Sequence, residues 1–141
     1  MMDPILTIVI PTFKNYQQLR WCLESMLRHT EYPYKIVVVN NGGPDDDDYV
    51  KALCGALGFE HLSVLCPGRN LAWMPALNTV LETCDTPFFC MMNDDVCFLP
   101  GNYLFWRTLM EHFNNEDTGC VGPCSNYVAG AQSLFQLDVS M

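Results

Sequence analysis

Four short apolar runs, each followed by a segment of helical periodicity, constrain the fold of this chain more than anything else in it. Leu6 to Ile10, Lys35 to Val39, Leu62 to Cys66 and Phe88 to Met92 are close to continuous in apolar residues rather than alternating. Strands of that kind are buried on both faces, as in a parallel sheet layered between helices. The intervening segments supply those helices. Asn15 reads as the cap of a helix from Tyr16 to about His29, with Leu19, Cys22, Leu23, Met26 and Leu27 on one face. Asp45 to Asp48 place carboxylates at the start of a second helix, which Gly58 closes. Trp73 to Thr83 reads as a third, since Pro75 is tolerated in a first turn. Tyr103 to Phe113 reads as a fourth, and Cys120 to Pro123 as a fifth short strand. The expected fold class is α/β, a Rossmann-like three-layer α/β/α arrangement with a mostly parallel sheet. Right-handed crossovers in a doubly wound sheet give the expected strand order 3-2-1-4.

With 141 residues the chain is expected to form a single domain, residues 1–141. Its formal charge of -9 argues against a nucleic-acid partner, because phosphate backbones are held by an excess of Lys and Arg. No apolar run reaches the roughly 18 residues of a membrane span, and the start lacks the pattern of a signal peptide, so a cytoplasmic location is expected. The eight cysteines fall inside apolar segments without a CxxC pair, and are expected as buried free thiols.

Chemistry enters where the fourth strand ends. Phe88 to Met92 stops abruptly at Asn93, Asp94 and Asp95. Magnesium and manganese take oxygen ligands and commonly share themselves between one or two carboxylates and a substrate's phosphates. In a 3-2-1-4 sheet the order reverses between strands one and four, and ligands bind outside the carboxyl ends of the strands at that point. Pro11 and Thr12 would then lie beside Asn93 to Asp95, with Asn40, Asn41 and Gly42 on the same rim. The run Asp45 to Asp48 is expected as a solvated helix start rather than a second metal site.

These segments, taken together, resemble the nucleotide-sugar-binding part of the GT-A glycosyltransferases, specifically glycosyltransferase family 2. Thr7 to Asn15 (TIVIPTFKN) is similar to that family's opening strand and "IPTYN" loop, and Val37 to Gly43 (VVVNNGG) to "VVDNGS". Arg69 to Asn78 (RNLAWMPALN) is similar to "RNLGFAGALN", and Met92 to Val96 (MNDDV) stands where the family has its DXD-type motif. Val121 to Pro123 looks like the short strand that follows it. The resemblance runs over essentially the whole chain. It implies that Pro11, Thr12 and Phe13 line the base pocket, and that Asn40 and Asn41, with Gly42, face the base or ribose. It further implies that Arg69 approaches the nucleotide, Asn70 shapes its loop, and Asn93 and Asp94 reach ribose or sugar. Asp95, with Asn93, would hold Mn2+ or Mg2+ on the diphosphate.

The function implied is an enzyme, a transferase that binds a UDP-, GDP- or dTDP-linked sugar with a divalent metal. In the complete protein it would pass the sugar with inversion to a hydroxyl of a glycan or glycoconjugate acceptor. The chain departs from the family's pattern in three ways. Asn40 stands where the family usually has Asp, Ala72 where it usually has Gly, and Asn93 where it has the first Asp. No general base is identified; the carboxylate that serves as one is expected beyond residue 141, so the domain is incomplete on its acceptor side, and Asp138 is a poor substitute. Two other readings remain at this point. One is a non-catalytic nucleotide-binding or interaction module, with self-association through apolar surface as a further expectation. The other is a sugar-nucleotide nucleotidyltransferase, which the loop Pro11 to Asn15 disfavours because it lacks a glycine- and arginine-rich phosphate turn.

Overall fold

The computed structural model describes residues 3–124, and the chain divides into a larger unit ending at Tyr103 and a smaller one beginning at Leu104. In the larger unit, β1 (Leu6–Thr12), β2 (Tyr34–Asn40), β3 (Leu62–Leu65) and β4 (Phe88–Met91) form one sheet in the order β3-β2-β1-β4. Every pairing is parallel, so the order and direction expected from the apolar runs hold. This sheet, with its helices, is the GT-A type of Rossmann-like α/β fold. Three helices link its strands: α1 (Tyr16–His29), α2 (Asp47–Gly55) and α3 (Trp73–Leu81).

Right-handed crossovers fix which face each helix covers. The chain moves in one direction from β1 through β2 to β3, and in the other from β3 to β4. Connections of one hand that run in opposite directions lie on opposite faces, which puts α1 and α2 on one side and α3 on the other. Val9 and Val39 pack against Ala76, Leu77 and Val80 of α3, with Val37, Leu65 and Phe89 around them. Because side chains alternate along a strand, Ile8, Ile10, Ile36 and Val38 point the other way, and all four are buried. Every residue of β1 is buried, as the central position of its strand requires.

Several boundaries differ from the sequence reading, each for a local reason. β1 continues through Pro11 to Thr12 instead of stopping at the proline. The Met92 amide donates to the Val9 carbonyl, and the Asn41 amide to that of Thr12. Alternation therefore turns the missing N–H of Pro11 toward the β4 side, where the pairing has already ended at Val9 and Met91. The second helix begins as a 3-10 turn, Pro44–Asp46, and Gly58 follows its end at φ 73°. Leu27, expected on the buried face of α1, is exposed, so the buried stripe is Leu19, Cys22, Leu23 and Met26.

In the smaller unit the expected fourth helix is shorter. α4 (Phe105–Glu111) is preceded by the 3-10 turn Asn102–Leu104 and followed by His112–Asn114. The rings of Phe105 and Trp106 meet edge to face at 5.1 Å. The fifth strand expected over Cys120 to Pro123 is not formed. One β-branched residue beside a glycine and a proline gives a ladder little to hold. Asp138 lies outside the described residues.

The expectation of buried thiols holds only in part. Cys22 and Cys54 are buried, Cys66, Cys84 and Cys90 are half-buried, and Cys97, Cys120 and Cys124 are exposed; all eight are free. Burial pushes the Cys22 thiol up to about 12, and those of Cys54 and Cys90 to about 11, so these three stay protonated and behave as small hydrophobes.

Candidate active site

The carboxyl ends of the strands open into a cleft of about 530 Å³. Pro11 to Asn15 line it from the end of β1, Asn41 from β2, Asn70, Ala72 and Trp73 from the loop after β3, and Asn93 and Asp94 from the end of β4. It sits where the strand order reverses, beside the junction of β1 and β4. Segments far apart in sequence meet there because parallel strands deliver all their carboxyl ends to one edge.

Three side chains tie these loops together. Asn15 holds the N-cap position of α1 but makes no cap bond; its Nδ2 donates instead to Oδ1 of Asp94 at 3.1 Å. That bond joins the loops following β1 and β4. Asn41, 4% exposed, accepts from the Leu71 amide at 3.1 Å and donates to the Ala72 carbonyl at 3.3 Å. Asn70 accepts from the Ala72 amide at 2.7 Å. Ala72 itself lies at φ 60°, ψ -169°, a region that suits glycine and costs other residues about 1–3 kcal/mol. Where the family usually has glycine, three hydrogen bonds hold an alanine in a strained conformation.

Below this rim Asn40 is fully buried, and both ends of its amide are engaged. Oδ1 accepts from the Gly42 amide at 3.0 Å and, more distantly, from the Tyr16 hydroxyl at 3.4 Å. Nδ2 donates to Oδ1 of Asp47 at 2.7 Å and to the Gly43 carbonyl at 3.3 Å. The bond from Asn40 is the main reason the Asp47 carboxyl sits below its ordinary range. Desolvation, helped by Asp46, pushes the Tyr16 hydroxyl up to about 12. Gly42 is needed for space: a Cβ there would overlap the Tyr16 hydroxyl and come within 3.0 Å of Oδ1 of Asn40. Gly42→Ala is expected to cost about 2 kcal/mol through overpacking, read as a lower denaturant midpoint at unchanged slope.

Seven of the residues singled out in the sequence line the cleft together: Pro11, Thr12, Phe13, Asn41, Asn70, Asn93 and Asp94. Asn40, Gly42, Arg69 and Asp95 are not in its lining; Arg69 and Asp95 are exposed. The sequence alone reads Asn15 as a helix cap and leaves Trp73 open between packing and ligand contact. The signal for Asn15 was its adjacency to the Pro11 to Phe13 loop; for Trp73, its place beside Asn70.

Among the described residues no group of three or more His, Cys, Asp or Glu side chains forms a cage for a metal. Asp94 and Asp95 do present two carboxylates on one loop, with the Asn93 amide beside them. That donor set fits magnesium or manganese that takes its remaining ligands from phosphates and water.

Residues 7–137 match the family described as Glycosyl transferase family 2. The chain belongs to that family. Among curated relatives of this family 2 chain is a teichoic acid poly(glycerol phosphate) polymerase of Staphylococcus epidermidis, 25% identical over 138 residues, covering 94% of the chain and 18% of the relative. A glycosyltransferase of Rickettsia prowazekii, itself uncharacterized, is 22% identical over 115 residues, covering 82% of the chain and 35% of the relative. Of solved structures, the mannosyltransferase PcManGT from Pyrobaculum calidifontis, in complex with GDP-Man and Mn2+, superposes with a TM-score of 0.65 at 18% identity. That superposition covers 89% of this chain and 36% of the other. TarS of S. aureus gives a TM-score of 0.56 at 18% identity, covering 79% of this chain and 33% of that one. The chain thus spans about a fifth to about a third of the length of these proteins. Among the described residues no helix is long and apolar enough to cross a membrane.

Proposed function

We propose that this domain is the donor-binding part of a glycosyltransferase and holds a nucleotide-diphosphate sugar in the cleft at the carboxyl edge of the sheet. The observation that carries the reading is the convergence of loops from the ends of all four strands on one cleft at the switch point, in a family 2 chain. A mannosyltransferase of the same fold holds GDP-Man together with Mn2+, which supports a metal-assisted donor site. Pro11, Thr12, Phe13 and Asn41 line the part that receives the nucleoside. Asn93 and Asp94 face the ribose or sugar, and Arg69 approaches the nucleotide from outside the cleft. Asp95 is the metal-holding carboxylate, with Asn93 beside it, because Oδ1 of Asp94 already accepts from Asn15. A divalent cation bound there would offset the charge that gathers on the departing diphosphate. The chain's own residues bind and orient: Asn15 steadies Asp94, and Asn40 fixes the turn carrying Asn41.

In the whole protein the sugar passes with inversion to a hydroxyl of a glycan or glycoconjugate, and the general base and acceptor surface belong to regions outside residues 1–141. Calorimetric titration of UDP, GDP and dTDP, each with and without Mn2+, tests the donor site. One nucleotide should bind in a manganese-dependent way, and Asp95→Ala should weaken that binding at least tenfold. Absence of binding by all three would overturn the reading.

A further inference from the structure

Trp73 is a large apolar side chain left 38% exposed at the first position of α3, in the lining of the cleft. A tryptophan that merely packs is ordinarily covered more completely. The residue before it is the strained Ala72, held by the amides of Asn41 and Asn70. Backbone strain that several bonds over-determine, just ahead of a half-exposed indole, is a device for placing that indole.

The position of the clamp says which end of the ligand it serves. The loop is fastened to Asn41, at the end of β2, whereas Asn93 and Asp94 follow β4. β1 lies between β2 and β4, so the two anchors stand about two strand spacings apart, roughly 10 Å. The carboxylate end suits phosphates and a cation. The β2 end offers Trp73, and Phe13 with the buried Thr12 stands between the two ends, where β1 finishes; the Thr12 hydroxyl lacks a partner among the described residues. On the donor-site reading above, we infer that Trp73 is the aromatic wall of the nucleobase subsite, presented by the Asn41–Asn70 clamp. Its indole stacks on the face of the base, a contact that tolerates any base and adds affinity at little conformational cost.

The test uses wild type, Trp73→Leu and Trp73→Phe, each titrated with Mn2+ and either the best-bound nucleoside diphosphate or inorganic pyrophosphate, which has no base. Binding is followed by calorimetry and by indole fluorescence. Trp73→Leu should weaken the nucleotide about tenfold and leave pyrophosphate unchanged; Trp73→Phe should recover most of the loss. The change in emission that accompanies nucleotide binding in wild type should disappear in both variants, while heat is still released. Equal nucleotide affinity in wild type and Trp73→Leu overturns the inference and leaves the donor site standing. So does a loss of pyrophosphate affinity in the same proportion, which would mark a general collapse of the cleft. No nucleotide binding by wild type itself would overturn the donor-site reading, and the inference with it.

Discussion

Asn40→Asp is expected to destabilise the domain by about 3 kcal/mol at neutral pH, although it installs the residue usual for the family. The substitution keeps the shape of the side chain and removes its donor. In the native protein Nδ2 of Asn40 points at Oδ1 of Asp47 and at the Gly43 carbonyl. A carboxylate in its place would face a second carboxylate and a carbonyl oxygen from a fully buried position. The amide of Gly42 and the hydroxyl of Tyr16 would still donate to it, which keeps the cost below that of an entirely unpaired buried charge.

The pH dependence separates this from a simple packing defect. In wild type the Asp47 carboxyl is depressed, so its contribution is present above its unfolded value and is lost as pH falls through the folded one. In Asn40→Asp the two carboxylates repel, one is raised, and protonating it as pH falls relieves the repulsion. Denaturant midpoints of the two proteins should therefore converge as pH is lowered toward the carboxylate range. Curves that stay parallel would show that the Asn40–Asp47 contact does not govern the effect.

Asn41→Ala should cost about 2 kcal/mol and loosen the rim of the cleft. It leaves the Leu71 amide and the Ala72 carbonyl without their shared side chain. Part of that loss is returned as Ala72 relaxes from its positive φ, so the net effect is smaller than two missing hydrogen bonds imply. Emission from Trp73 should shift to the red as the indole becomes wetter, and nucleotide affinity should fall by more than stability alone accounts for. An unchanged emission maximum together with a normal denaturant midpoint would mean that the loop holds its shape without Asn41.

Much of the architecture was legible because the strands are apolar nearly throughout; burial on both faces accounts for that in β1 and most of β2, whereas β3 and β4, at the edges of the sheet, contain no fully buried residue. The four runs marked the four strands. Boundaries were less legible. Pro11 looks like a terminator until it is known that its missing N–H faces the side where β4 has ended. Leu27 fits the period of α1, yet it is exposed and the buried stripe of that helix is Leu19, Cys22, Leu23 and Met26.

The candidate site was legible as a set of loops and not as a set of roles. Pro11 to Phe13, Asn41, Asn70, Asn93 and Asp94 share one cleft, as their motifs imply. Asn40 is drawn beneath it instead, because a short amide that finds four partners in the fold has none left to offer. Nothing in the local sequence around Asn15 says that its amide reaches Asp94, 79 positions along the chain.

The sequence by itself determined the layering, the direction of the strands and the edge at which chemistry would gather, since hydrophobic period and turn residues are local properties and right-handed crossovers follow from chirality. Only the tertiary structure decided which asparagine is buried as a strut, which one clamps a strained loop, and that Trp73 borders the cleft. Those outcomes depend on distances between segments that are remote in the chain, and a side chain's role is set by the partners folding brings within hydrogen-bond reach of it.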